Sequence, residues 1–419
     1  MILLALAILG AMALAWFALV VLFTPAIPYH LRRRLPLDSP QYLHLLSSLS
    51  PAEVFEGNRI DVLKNGSAFY PAMVDAIATA TRSVNFESYI FHRGETAEHF
   101  ITALVACARR GVPVTLVVDA VGSFGLLGKP LRRLRDAGCR VYFYQGLRWF
   151  NLHRLNNRTH REILVVDGRV AFVGGAGVSD WWALTGDGHR PWRDTMARVE
   201  GPIVASLQGT FAENLLECSG EILAGDEFFP PQHAVGQSRV LVIKSSPSDR
   251  ATVSRVLFQS LIECAGRDIS LATPYFLPDA QIRRAMLEAV RRGVLLRVLV
   301  PGSTTDQCWV RIASRRMYGQ LVQGGVRIFE DERSMMHQKL LVADGLWTVI
   351  GTTNLDNRSF EHNDEVNIAI LDRDVAESCR QMFGDDLKDC REVTLDDWRR
   401  RPLWEKAIGR IAWILERQQ

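Results

Sequence analysis

A chain of 419 residues has room for two core-forming units and additional segments. Its 49 basic side chains nearly balance 46 acidic ones, a net charge of +3, so it lacks the broad basic field that signals bulk nucleic-acid binding. The seven cysteines (107, 139, 218, 264, 308, 379 and 390) are odd in number, scattered and without metal-ligand spacing. That argues against a disulfide framework or a zinc site and fits reduced thiols in a cytosol-facing compartment.

Met1 to Thr24 carries no charged side chain. An apolar run of that length at ~1.5 Å per residue spans a ~30 Å hydrocarbon layer. A cleaved secretory signal is the competing reading. The run lacks a basic start, and its small-x-small pairs (Ala11 with Ala13, Ala13 with Ala15) lie inside it, so residues 1–25 read as a membrane anchor. Arg32-Arg33-Arg34 follow while no basic residue precedes, which places the remainder of the chain in the cytoplasm. Residues 26–65, broken by Pro36, Pro40 and Pro51, read as a linker.

A first repeat over 66–200 opens with a helix near Ala68–Thr81, a strand over Ser83–Phe91 and a helix around Ala97–Arg110. The turn Arg109-Arg110-Gly111-Val112, strand Val114–Asp119, helix Pro130–Ala137 and strand Arg140–Tyr144 follow. Residues 201–240, with Gly201-Pro202 and Pro230-Pro231, read as a connecting segment. The second repeat, 241–373, has the same grammar: helix Thr252–Ala265, strand Ile269–Phe276, helix Ala280–Arg292, strand Leu296–Val300, helix Trp309–Val322 and strand Val326–Phe329. Its turn Arg291-Arg292-Gly293-Val294 repeats the first at 291 − 109 = 182. Strands alternating with helical patterns predict an α/β fold with a mainly parallel sheet. In the tail, 374–419, Leu403, Trp404, Ala407, Ile408, Ile411 and Leu415 share a helical face that either lies in a membrane interface or packs on the body.

The chemistry concentrates in Met336-His337-Gln338-Lys339-Leu340-Leu341-Val342-Ala343-Asp344-Gly345, an H-x-K-x-x-x-x-D pattern followed by Gly351-Thr352-Thr353-Asn354. On extended backbone His337 and Lys339 project to one face, an imidazole beside a fixed cation, which suits attack on a phosphate diester. An altered copy lies upstream: His160-Arg161-Glu162, Asp167-Gly168 and Gly174-Gly175-Ala176-Gly177. The offsets agree (337 − 160 = 344 − 167 = 177), and each histidine precedes its glycine by 14 residues, so the unit is duplicated. Glu87 and Asp119 lie in or at the end of apolar strands, as ligand-contacting or capping carboxylates. Trp181-Trp182 read as core or as a lipid entrance, Tyr275 and Phe276 as wall or core, and His153 and His189 as loop histidines.

The duplicated pattern resembles the phospholipase D superfamily, and within it the bacterial cardiolipin synthase type. Asn354-Leu355-Asp356-Asn357-Arg358-Ser359, Asn363-Asp364-Glu365, Thr273-Pro274-Tyr275-Phe276-Leu277-Pro278 and Pro191-Trp192-Arg193-Asp194-Thr195 extend the likeness over roughly Ala68 to Asp372. It implies two duplicated phospholipase D-like α/β domains packed face to face, with an N-terminal transmembrane helix and one site at the seam. It further implies a two-step transfer with no metal or cofactor, through a phosphatidyl-histidine. Family practice makes His160 the nucleophile and His337 the acid and base, with Asp167 and Asp344 fixing tautomer and orientation. Lys339 and Asn354 would hold phosphate oxygens, and Thr352, Glu365, Glu162 and Glu87 are further candidates for substrate contact. The implied partners are membrane phospholipids, not nucleic acid. Phosphatidylglycerol comes first, with phosphatidylethanolamine, a small alcohol or water as other acceptors, at the cell inner membrane. Transfer to a second phosphatidylglycerol gives cardiolipin and glycerol.

Glu162 stands where this pattern carries lysine, and Gly177 where the downstream copy has Asn354. A carboxylate there repels an anionic diester and favours a protonated His160, which leaves the assignment of the two histidines open. A phosphodiesterase using water and a non-catalytic membrane-bound relative are the alternative functions.

Overall fold

The computed structural model describes residues 2–23, 30–50, 52–146, 157–183, 190–246 and 253–412. The first half contributes β1 (Phe55–Lys64), β2 (Val84–Ser88), β3 (Val114–Asp119), β4 (Arg140–Tyr144), β5 (Arg158–Thr159), β6 (Ile163–Val166), β7 (Val170–Gly174) and β8 (Thr195–Glu200). The second contributes β9 (Ser238–Ser245), β10 (Asp268–Ala272), β11 (Leu295–Pro301), β12 (Arg327–Asp331), β13 (Leu340–Ala343), β14 (Trp347–Gly351), β15 (Asn363–Leu371) and β16 (Arg391–Glu392). The order β1-β8-β7-β6-β2-β3-β4 is matched by β9-β15-β14-β13-β10-β11-β12, and antiparallel β1–β9 pairing joins the two runs. The duplication predicted from motif spacing is therefore a duplication of topology.

The sheets are mixed, a correction to the mainly parallel expectation. Within the two runs only β2–β3–β4 and β10–β11–β12 are parallel, and off them β5 pairs in parallel with β15. The other pairings within each run are antiparallel, with β6–β7 and β13–β14 as hairpins turning at Asp167-Gly168 and Asp344-Gly345. Both turns need left-handed backbone at two successive residues (φ 55 and 61, then 55 and 60), which Asp-Gly adopts at low cost.

Alternation along the strands separates three cores. Leu164 and Val166 face the outer helices of the first half, whereas Ile163 and Val165 face the seam. Leu341 and Ala343 face the outer helices of the second half, and Leu340 and Val342 the seam. Seam-facing residues of both halves thus share one core. Two stretches read as linkers are structural. Within 26–65, Pro40 starts helix Pro40–Leu49, where its missing N–H costs nothing. Tyr42 of that helix packs edge-on to Trp347, whose Nε1 donates to Leu37 O at 2.8 Å, and β1 then enters the sheet. Within 201–240, helix Ile203–Ser219 buries Ile203, Val204 and Leu207 in the seam.

The apolar N-terminal run forms helix Ile2–Phe23, in which the side chains described, 4–16, are exposed. Among the described residues no helix is long and apolar enough to cross a membrane. In the tail, helix Leu403–Ala412 docks on helix Cys308–Gln323 through the Arg315 Nε–Glu405 pair at 3.0 Å, while Leu403 and Trp404 stay exposed. Leu415, His153 and His189 lie outside the described residues.

Candidate active site at the seam

Two backbone bridges cross from one half to the other and set the histidines. His160 N–H donates to Asp364 O (2.9 Å) where β5 meets β15. His337 N–H donates to Arg193 O (2.8 Å) beside the start of β8. Each bridge brings the next residue of the partner half, a carboxylate, to the imidazole. His337 Nδ1 lies 2.8 Å from Asp194 Oδ2, and His160 Nδ1 lies 3.5 Å from Glu365 Oε1 and 3.2 Å from Asn363 Nδ2. Neither half holds a complete site by itself.

The carboxylates are themselves fixed. Asp194 accepts from Trp182 Nε1 (3.0 Å) and Thr195 N (2.8 Å), and Glu365 accepts from Thr352 Oγ1. Trp182 and Trp192 enclose the His337 ring, each with its centroid 5.3 Å away, and Tyr89 covers His160 at 4.2 Å. Lys339 Nζ lies 2.8 and 3.0 Å from the His337 ring nitrogens and 2.8 Å from its carbonyl. Burial lowers the pKa of Lys339, opposed by Asp194 from one half and Glu365 from the other. Burial and then the Lys339 charge lower the pKa of His337, against the pull of Asp194, so the imidazole is neutral near pH 7.

Glu162 is buried, with Oε1 accepting from Tyr89 N (3.0 Å) and Ile90 N (3.4 Å). Burial pushes its carboxyl up to about 8, so it is mostly protonated at neutral pH and does not set a full negative charge beside the diester. A side chain at Gly177 would put Cβ 2.6 Å from Ile90 O and 2.9 Å from Glu162 Oε1. The two upstream departures are thus one packing arrangement: the glycine makes room for the glutamate and the loop it ties down.

Several expected sites move. Asp167 and Asp344 touch neither histidine. They close the far ends of β6 and β13, seven residues and ~23 Å of extended chain away. Asp167 accepts from the N–H groups of Thr81, Arg82 and Ser83, and Asp344 from those of Gly266, Arg267 and Asp268. Glu87 is fully buried behind β5, bound to Thr159 Oγ1 and Asn214 Nδ2, with burial raising its carboxyl to about 7; it faces no substrate space. Thr352 supports Glu365. Asn354 is buried, donating to Ser359 Oγ at 3.3 Å, with its Oδ1 lacking a hydrogen-bond partner among the described residues. Arg161 points away from the site to Thr210 O, and Arg158 pairs with Asp119 at 3.5 Å.

Asp194 and Asn363 received no role from the sequence, and Trp182 was read as core or lipid entrance, not as a partner of the site. A signal for Asp194 existed in the duplication. Gly174 and Gly351, 177 apart, pair with Met196 and Asn367, and the orienting carboxylate lies two residues before each.

A duplicated α/β unit that assembles two crossed histidine–carboxylate pairs around one lysine has the architecture of the phospholipase D superfamily. Comparison with known proteins narrows this. The family described as cardiolipin synthase, PLD-like domain, matches residues 73–205 and 258–387. Cardiolipin synthase A of Pseudomonas putida (strain GB-1) is 34% identical over 381 residues, covering 90% of this chain and 78% of that one. Cardiolipin synthase of Geobacillus sp. (strain WCH70) is 31% identical over 376 residues, covering 89% and 75%. The crystal structure of phosphatidylserine synthase from Haemophilus influenzae Rd KW20 shares the fold with a TM-score of 0.70 at 11% identity, covering 90% of this chain and 98% of that one. The chain belongs to the cardiolipin synthase, PLD-like family, and is an enzyme of the phosphatidyltransferase class.

Proposed function

We propose that this enzyme is membrane-anchored and makes cardiolipin from two phosphatidylglycerol molecules through a phosphatidyl-histidine intermediate. The crossed pairing of each histidine with a carboxylate of the other half, around Lys339, carries the proposal. His337 is the nucleophile, the reverse of the family expectation. Its imidazole is neutral, and with Nδ1–H directed to Asp194 the Nε2 lone pair is left for phosphorus. As the Nε2–P bond forms, the P–O bond to the first headgroup breaks, and His160 gives its proton to the departing glycerol oxygen. His160 then takes a proton from a hydroxyl of the second phosphatidylglycerol. That oxygen attacks phosphorus and His337 leaves. Lys339 turns from the imidazole to the phosphoryl oxygens as charge builds on them.

Membrane anchorage rests on the uncharged run over 1–25 and the arginines after it. They support a single span at the inner membrane with the catalytic body on the cytoplasmic side. The test uses vesicles of phosphatidylglycerol labelled with ³²P. The expected products are cardiolipin and glycerol, with acid-labile label on His337 after a rapid quench and none in His337→Ala. Label on His160 instead would reverse the two roles, and an absence of lipid product would sink the transferase reading.

A further inference from the structure

A second cluster of cationic side chains lies away from the histidines, on the outer helices of the second half. Arg32, Arg33 and Arg34 lie across helices Val253–Cys264 and Ala280–Arg291, where Arg284, Arg291 and Arg292 line a groove of about 980 Å³. The six arginines face two carboxylates, and both are engaged. Glu263 accepts from Leu31 N–H (2.9 Å) and Gln259 Nε2 (2.6 Å), and Glu288 pairs with Arg284 at 2.8 Å. Arg32, Arg33, Arg34 and Arg291 form no ion pair with a described carboxylate. Arg292 is fixed by the carbonyls of Ile262, Glu263 and Ala265, and after burial the strongest influence on it is the like charge of Arg34. Segments about 250 residues apart therefore converge as like charges, an arrangement that an anion stabilises.

The site differs from the catalytic one in place and in geometry. Arg291 and Arg292 lie at the end of the second half where β11 begins and Asp344 closes β13, opposite the end from which His337 projects. Guanidinium groups recognise phosphate oxygens in forked pairs, and several around one open groove fit a diester better than a carboxylate. The groove starts seven residue steps after Phe23, within ~25 Å of the end of the apolar helix. Basic clusters in that position bind anionic headgroups.

We propose that this groove is a second, non-catalytic site that holds the phosphodiester headgroup of an anionic phospholipid and seats the enzyme on its membrane. The phosphodiester chemistry follows from the arginines. Its source in a lipid rests on the anchorage proposed above. The test is calorimetric titration of the full chain in neutral detergent with dihexanoyl phosphatidylglycerol, with dihexanoyl phosphatidylcholine and inorganic phosphate as separate probes. Two classes of phosphatidylglycerol site are expected in the parent. Arg284→Ala/Arg291→Ala, changed at exposed positions so that thermal melting is preserved, should lose one class or weaken it at least tenfold. Arg284→Lys/Arg291→Lys should retain it in part. Phosphatidylglycerol binding whose number of classes and affinities are unchanged in the alanine variant overturns the site. Equal binding of phosphatidylcholine, or displacement by inorganic phosphate at matching concentration, overturns the lipid assignment. Failure of the catalytic proposal would instead leave a single class in the parent that the alanine variant still loses, because the readout does not depend on turnover.

Discussion

The two histidine motifs occupy equivalent places in duplicated halves, yet they are electrostatically unlike. Downstream, Lys339 stands against His337, which is enclosed by two tryptophans and held at 2.8 Å by Asp194. Upstream, a mostly protonated Glu162 holds the backbone of Tyr89, whose ring covers His160, and Glu365 stands 3.5 Å off. The position that supplies a cation in one half supplies a loop anchor in the other. In the proposed mechanism one phosphate clamp suffices, because both histidines act on the same phosphorus. The second copy is therefore free to become structural so long as its replacement stays uncharged.

His337→Ala tests that asymmetry most severely. Transfer should fall by on the order of 10⁴-fold or more, with no covalent lipid trapped, whereas His160→Ala should still form some intermediate while turning over poorly. The carboxylates rank next. Asp194→Asn should cost about 10²–10³-fold in kcat with little change in KM, and it should shift the acidic limb of the pH–rate profile, because His337 loses the partner that fixes its tautomer. Glu365→Gln, acting across the longer 3.5 Å contact, should cost roughly tenfold less than that. Equal losses from the two variants would mean that the histidines are interchangeable and the comparison is wrong. Asp344→Ala should leave kcat near the parent value while lowering stability by about 2–3 kcal/mol, read by denaturant melting, since it strands the amides of Gly266, Arg267 and Asp268.

That last contrast marks where the sequence was legible. Helix Ala280–Arg291 and strands β3 and β4 follow their predicted bounds closely, because hydrophobic periodicity and Gly or Pro punctuation act locally. The pairing of His337 with Lys339 was legible for the same reason, being a two-residue relation on extended chain. Asp167 and Asp344 misled because conserved spacing between the two copies is equally expected of a hairpin turn. Asp-Gly is a turn signal whose carboxylate caps neighbouring amides. Asp194 was missed because its partner, His337, is 143 residues away and in the other half. Helix Pro40–Leu49 was hidden by reading Pro40 as a breaker when it occupies the first helical position. What crosses the seam has no local signature.

The smallest expected effect on catalysis is the sharpest test of the upstream half. Glu162→Gln keeps the shape of a protonated carboxyl, so activity at pH 7 should stay within ~3-fold of the parent. Glu162→Lys should do worse, because it turns a buried cation toward the N–H groups of Tyr89 and Ile90 with Gly177 packed against it. Stability carries the distinguishing readout. The unfolded carboxyl titrates near 4.5 and the folded one near about 8, so between these values the folded state holds the extra proton. The contribution of Glu162 is therefore fully present below pH 4.5, declines as pH rises, and is gone once the folded group ionises above 8. The glutamine cannot titrate. Its melting temperature relative to the parent should rise from pH 5 to pH 9 and then level off. A gap that stays constant over that range would mean that Glu162 is ionised in the folded enzyme, and that the upstream histidine works beside a carboxylate after all.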